Sequence, residues 1–206
     1  MLTFNNYTYV YELFLILISL FFIVKNKNLK KIFIAFIIIL LIFYRSYDSS
    51  FFINNSFLSP SQCKISNIDI IDNNTVFSTY LSPFNLHYMI TPIDSTIVNI
   101  ERNPDDNEAD KLTITFETFI NGVKFQYQLQ QIVNKLGNWG YLPSIIYKHR
   151  CITWKNIGDN LKQGDKYGLI RFGSMMKFII PSDMIKKINV KKSQKIEIGQ
   201  SLFFIE

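Results

Sequence analysis

LTITFETFINGVKFQYQL, residues 112–129, is the stretch on which the fold class turns. Leu112, Ile114 and Phe116 alternate with polar residues, and Val123, Phe125, Tyr127 and Leu129 alternate back. Successive side chains of a strand point to opposite faces, so each run offers one apolar face. Asn121–Gly122 lies between the runs and suits the two positive-φ positions of a two-residue turn, which predicts an antiparallel hairpin with one face buried. From about Phe51 onward short alternating runs recur, punctuated by Gly, Pro and Asn. Residues 51–206 therefore read as a mainly β domain of antiparallel hairpins. Beyond the hairpin, Leu129, Ile132, Val133 and Leu136 fall at helical spacing before Gly137, which predicts one short helix over 129–137. NPDDNEAD (103–110) reads as a polar loop.

Near the C-terminus Leu161-x-x-Gly164-Asp165 and Ile196-x-x-Gly199-Gln200 echo each other at an offset of 35 residues, from Gly164 to Gly199. Each copy precedes an apolar strand, GLIRFG or SLFFI. Two like strand-turn-strand units packed face to face would make a small β-sandwich of barrel-sandwich type, as in lipoyl-like carriers. Such carriers present a lysine at a hairpin tip, and no such lysine motif is present. The echo thus speaks to fold and not to carrier function.

The chain opens differently. LFLILISLFFIV (13–24) and IFIAFIIILLIFY (32–44) are uncharged runs joined by KNKNLKK. Each rises roughly 20 Å as a helix, less than the roughly 30 Å hydrocarbon core. A helical hairpin dipping into one leaflet fits, and so do two transmembrane helices lengthened by flanking residues. Both runs are apolar all round, unlike a helix packed on a soluble core. MLTFNNYTYVYE has no Lys or Arg and carries Glu12, the wrong flank for a signal peptide. Residues 1–50 therefore read as a retained membrane anchor, through residues about 10–45, with Lys25, Lys27, Lys30 and Lys31 facing anionic lipid. A net charge of +6 alone would fit nucleic acid or an anionic membrane, and the apolar runs favour the membrane. A composition of 48% hydrophobic residues excludes a disordered chain. Cys63 and Cys151 lack CxxC spacing and a histidine cluster, which argues against zinc and does not compel a disulfide.

IRFGSMMKFIIP (170–181) reads as a buried strand, yet Gly173–Ser174 interrupts it. Glycine inside a strand marks a bulge or a close approach to the backbone. His87, in LSPFNLH (81–87), and His149, in Lys148-His149-Arg150, are the two histidines. Each alone fits a hydrogen-bonded structural residue.

Together these stretches resemble the short-type phosphatidylserine decarboxylase family over residues 57 to 206. WKNIGDNLKQGDKYGLIRFGS (154–174) is similar to the family's Trp, Gly-Asp turn and closing G-x-I-R-F-G-S. LSPFNLH resembles its S-P-x-D-x-H, and IEIGQSLFFI (196–205) its closing G-x-x-V strand. The resemblance implies a proenzyme that cuts itself between Gly173 and Ser174 into a β chain, 1–173, and an α chain, 174–206. The Ser174 hydroxyl would attack the Gly173 carbonyl, and β-elimination and hydrolysis would leave a pyruvoyl group. A glycine before the serine leaves that carbonyl open to attack. The ketone would form a Schiff base with phosphatidylserine and act as electron sink while CO2 leaves, giving phosphatidylethanolamine. His87 is the implied general acid and base. Lys148, His149 and Arg150 are candidates for holding the lipid phosphate or carboxylate. No metal or pyridoxal site is expected, nor nucleic acid. The expected partners are the phospholipid, the membrane, the chain's own two fragments and a homo-oligomer.

The departures fall on the site. Many members have Ala-Asp-Gly where this chain has Ser61-Gln62-Cys63, and Asn85, Ile90, Met175 and Lys177 replace family charges. The Asn-Glu-Arg region is missing around NPDDNEAD, and NWGYLPS (138–144) marks an insertion. Gln62 cannot ionise. If the family acid orients the histidine, its loss slows or abolishes cleavage here, unless Asp69, Asp72 or Asp94 takes its place. Three readings follow: a membrane-anchored decarboxylase, an uncleaved pseudoenzyme that binds phospholipid or acts as a scaffold, and a membrane adaptor with a lipoyl-like domain.

Overall fold

The computed structural model describes residues 18–19, 21–43, 53, 55–82, 85–104, 108–134, 149–170 and 174–205. The chain divides into two compact units, residues 1–49 and 50–206. In the first, residues 21–23 are helical and α1 spans Lys27–Phe43. Asn26 begins α1, its Oδ1 accepting hydrogen bonds from the backbone N–H of Asn28 (2.9 Å) and Leu29 (3.3 Å). Ile32, Phe36 and Ile38 of α1 are exposed.

The expectation of a transmembrane helix is corrected. The 17 residues of α1 rise about 26 Å, and its first turns carry Lys27, Lys30 and Lys31. Among the described residues no helix is long and apolar enough to cross a membrane. Most of the first apolar run lies outside the described residues, and with it the first arm of the expected helical hairpin.

The second unit is mainly β, and its strands pair antiparallel. In chain order they are β1 (Ser56–Leu58), β2 (Cys63–Ile71), β3 (Asn74–Leu81), β4 (Tyr88–Ile90), β5 (Ser95–Glu101), β6 (Glu108–Ile120) and β7 (Val123–Asn134). There follow β8 (Cys151–Thr153), β9 (Asn160–Leu161), β10 (Lys166–Ile170), β11 (Ser174–Pro181), β12 (Ile185–Ile188), β13 (Lys195–Ile196) and β14 (Ser201–Ile205). They form a sheet β13-β2-β3-β11-β7-β6-β5-β9 and two smaller ones, β1-β14-β12 and β4-β10-β8. The large sheet reads alike from either end if β13 is matched with β9, β2 with β5, β3 with β6 and β11 with β7. The small sheets match in the same way, β1 with β4, β14 with β10 and β12 with β8.

The 35-residue echo is the trace of this repetition. In one copy Lys162 N–H donates to Asp165 Oδ2 (2.8 Å) and Asp165 N–H to Lys162 O (2.9 Å). In the other, Glu197 N–H donates to Gln200 Oε1 (3.2 Å) and Gln200 N–H to Glu197 O (3.1 Å). Gly164 and Gly199 take the same left-handed position, φ +90° and +77°. The turns just upstream, Asn156–Asp159 and Lys191–Gln194, repeat the pattern with Gly158 and Ser193 at positive φ.

The predicted hairpin is β6–β7, closed by Asn121 (φ 49°) and Gly122 (φ 83°). The helix expected over 129–137 is instead the continuation of β7 to Asn134. Leu129, Gln131 and Val133 alternate into the interior, and ladders to β6 and β11 occupy both edges of the strand, so pairing overrides the helical spacing. Residues 108–110 of the expected loop belong to β6, while 105–107 lie outside the described residues. Residues 170–181 are not one interrupted strand: β10 ends at Ile170 and β11 starts at Ser174 in another sheet. Gly168 lets β10 sit close to its neighbours, because a Cβ there would lie 2.5 Å from Ile152 O and 2.9 Å from Gln131 Nε2.

Candidate active site

His87 leads into β4 and is 2% exposed. Its Nδ1 lies 2.9 Å from the carbonyl oxygen of Ile170, and Ile170 N–H donates back to His87 O (3.0 Å). A carbonyl only accepts, so Nδ1 carries the hydrogen of this bond. The imidazole is thereby held in a fixed orientation. Ile170 is the last residue of β10, four before Ser174. Ser174 opens β11 opposite Leu81 of β3, and Met175 then pairs with Tyr80 on one side and Ile132 on the other. The Gly173–Ser174 bond therefore lies at the start of a strand fixed from both sides, in a different sheet from β10. Gly173 itself lies outside the described residues, and so does the side chain of Ser174.

Arg150 reaches the same end of the fold by way of β8. Cys151 pairs with Ile170, which puts Arg150 at the C-terminal end of β10. A buried carboxylate fixes this corner: Asp110 Oδ2 accepts the backbone N–H of Arg150 (2.6 Å) and of Cys151 (2.8 Å), and Oδ1 pairs with Arg102. Arg102 also donates to Cys151 O (2.7 Å). Burial pulls the Arg150 guanidinium below its ordinary range, against the opposing pull of Asp110. Of the other two cationic candidates, His149 is exposed and Lys148 lies outside the described residues. Asp110 and Arg102 were not legible as site residues, because the sequence around them reads as polar loop.

Gln62 occupies the third corner. Its Oε1 accepts Leu86 N–H (3.1 Å), its Nε2 donates to Glu197 Oε2 (2.7 Å), and its backbone O accepts Asn85 Nδ2 (2.9 Å). The two positions at which an amide replaces a family acid, 62 and 85, are therefore in contact. An aspartate at 85 could not donate to that carbonyl. None of the hydrogen bonds described for Gln62 and His87 involves a carboxylate named as a substitute. Asp69 binds Asn67 (2.6 Å), Asp72 sits in the β2–β3 turn, and Asp94 pairs with Lys162 (2.9 Å). The carboxylate that reaches Gln62 is Glu197, and its sequence signal was the echo that places it opposite Lys162. Cys63 and Cys151 are free and buried. Burial pushes the Cys63 thiol up, outweighing the hydroxyls of Ser61, Ser59 and Thr79.

The phosphatidylserine decarboxylase family model matches residues 43–204. A protein of Methanosarcina mazei, provisionally named an archaetidylserine decarboxylase proenzyme, is 25% identical over 143 residues, 56% of this chain and 65% of its own. A phosphatidylserine decarboxylase proenzyme of Thermobifida fusca is 23% identical, over 70% of this chain and 64% of its own. One of Chlorobium phaeobacteroides is 26% identical, over 82% and 79%. The chain thus spans less than two thirds of the first two relatives. No solved structure matches.

Proposed function

The chain belongs to the phosphatidylserine decarboxylase family, and we propose that it is a proenzyme that cleaves itself at Gly173–Ser174 and decarboxylates phosphatidylserine to phosphatidylethanolamine. The observation that carries this reading is the His87–Ile170 hydrogen bond of 2.9 Å, which fixes the imidazole ring against the residue four before Ser174. In cleavage the Ser174 oxygen bonds to the Gly173 carbonyl carbon as the amide C–N bond breaks, leaving an ester and a free amine. Loss of the Ser174 α-proton then expels Gly173 as a carboxylate. Water adds to the resulting dehydroalanine and ammonia leaves, which yields a pyruvoyl group at residue 174.

The residues present fit such a group. Ser174 begins a strand paired with β3 from its first residue and with β7 from its second. At that end His87 offers a base and Arg150 a cation. The bound group would supply a ketone able to draw electrons from an amine substrate's α-carbon. His87 Nε2 accepts and returns the protons, Ile170 O holds the ring in the productive tautomer, and Arg150, with Lys148 and His149 beside it, faces the substrate's carboxylate or phosphate. The repeated halves, joined in one sheet by the β11–β7 pairing, build a domain of barrel-sandwich type. The fragment 174–206 stays bound after cleavage because β11, β13 and β14 each pair with a strand of the other fragment. The exposed apolar residues of α1 and its lysines hold the protein in a membrane interface, where its lipid substrate lies.

A second reading is favoured by Gln62, which cannot ionise: an uncleaved relative that keeps the fold and binds phospholipid. Intact mass of the purified full chain in lipid decides between them. Fragments 1–173 and 174–206 are expected, the latter with a blocked N-terminus, and Ser174→Ala should remain whole. A folded wild-type chain that stays uncut overturns the proposal.

A further inference from the structure

Gln62 stands between two segments that the chemistry needs in register. On one side is Leu86, the residue before His87. On the other is the turn Glu197–Gln200, which is stitched to the strand leading to Gln62 by Ser59 N–H to Gln200 O (2.7 Å) and Gly199 N–H to Ser59 O (2.9 Å). The Gln62 amide can satisfy both neighbours in only one orientation. Leu86 N–H is a donor and needs Oε1 (3.1 Å), while a carboxylate is an acceptor and needs Nε2 (2.7 Å). An amide next to a carboxylate is thus locked, and an amide next to a donor would turn over.

The repeated half contains the equivalent strand-to-turn contact with its charges exchanged, and Lys162 and Gln163, the partners of the Asp94 carboxylate, both lie in the turn. There Asp94 occupies the strand position and Lys162 the turn position, 2.9 Å apart, and Asp94 Oδ1 accepts Gln163 N–H (2.7 Å). Each half keeps one carboxylate in the clamp, on the strand in one and on the turn in the other. Resting on the decarboxylase reading above, we propose that Glu197 is a positioning residue for His87: its carboxylate fixes the Gln62 amide, and that amide fixes Leu86 and the histidine that follows. Glu197 belongs to the 174–206 segment, so the histidine of one fragment is aligned by the other.

The test uses the full chain in lipid nanodiscs, with two readouts: the rate of self-cleavage, and hydrogen exchange in the peptide that contains Leu86, measured in a Ser174→Ala background. Glu197→Lys sets a donor against a donor and turns the amide, so exchange at Leu86 should rise and cleavage slow, each roughly tenfold. Glu197→Gln keeps an acceptor at the turn and should stay near wild type. The double variant Gln62→Glu/Glu197→Lys reproduces the order held by Asp94 and Lys162, and should restore both readouts. A merely structural role for Glu197 would not give that rescue. Unchanged exchange in Glu197→Lys, or a double variant no better than the single one, overturns the proposal. A wild-type chain that never cleaves, but whose Leu86 exchange responds as stated, overturns the decarboxylase reading and leaves the positioning role standing.

Discussion

Two equivalent places in the large sheet end differently. β6 passes into β7 through two residues, Asn121 and Gly122, with Ile120 opposite Val123. β3 and β11 lie side by side in the same way, with Leu81 opposite Ser174, yet no turn joins them. There the chain leaves β3 for the other half of the repeat and returns by way of β10. One hairpin is closed and its counterpart is open, and the candidate site occupies the open end. A tight turn has its backbone conformation dictated by its own hydrogen bonds. The open pair has no such turn, and β3 and β7 hold the strand that begins at Ser174. The arrangement also explains how a cut before Ser174 could be tolerated: the ladders of β11 do not depend on a covalent link at that end.

The halves can be driven apart by mutation, because equivalent positions make opposite demands. Thirty-five residues separate Gly168 of β10 from Phe203 of β14. Phe203 is fully buried and stacked on Phe57 (4.8 Å between ring centroids) and Phe77 (5.6 Å). Phe203→Ala should cost about 3–5 kcal/mol in chemical denaturation, the range for an emptied aromatic site. Gly168→Ala inserts an atom against the Ile152 carbonyl and should cost about 1–3 kcal/mol through overpacking. Tolerance of Gly168→Ala would show that β8 can yield, and the contrast between the halves would then be weaker than the contacts indicate. At the closed hairpin, Gly122→Ala meets nothing within 4 Å, so only its φ of +83° opposes the change. A loss of about 1–2 kcal/mol is expected there, and a larger one would mean that the turn does more than close the hairpin.

Much of this was legible where local chemistry decides. The Asn-Gly turn, the alternation of Leu112 to Leu129 and the 35-residue echo each report a local conformation, and each corresponds to an observed element. The helix expected at 129–137 failed because β7 is buried on both faces here, Leu129 and Val133 on one and Ile132 on the other, so a helix-like spacing of apolar residues arose in a strand, and ladders to two neighbouring strands settled the matter. At the site, Gly173, Ser174 and His87 stood out as residues. Glu197, Asp110 and Arg102 did not, because their roles come from partners far along the chain: Gln62 for Glu197, and the backbone of Arg150 and Cys151 for the Arg102–Asp110 pair.

The smallest expected effect sharpens the comparison between the two clamps. Asp94 is lowered from its ordinary value: burial raises it, but the Gln163 N–H and Lys162 together outweigh burial. A carboxylate depressed in the folded state contributes stability above its unfolded value, near 3.8, and that contribution is lost as pH falls through the folded value. Half of the Asp94 side chain is exposed, so solvent screening caps its contribution at no more than about 1 kcal/mol. Gln62, at the equivalent strand position, does not titrate. Denaturation midpoints of wild type and Asp94→Asn should therefore differ at pH 6 and converge toward pH 3. In Gln62→Ala the part of the loss that comes from the amide–Leu86 bond does not titrate away, because neither of its two groups ionises. A constant Asp94→Asn gap from pH 6 to pH 3 would mean that this clamp is held by hydrogen-bond geometry alone. The charge exchange between the halves would then be irrelevant to stability.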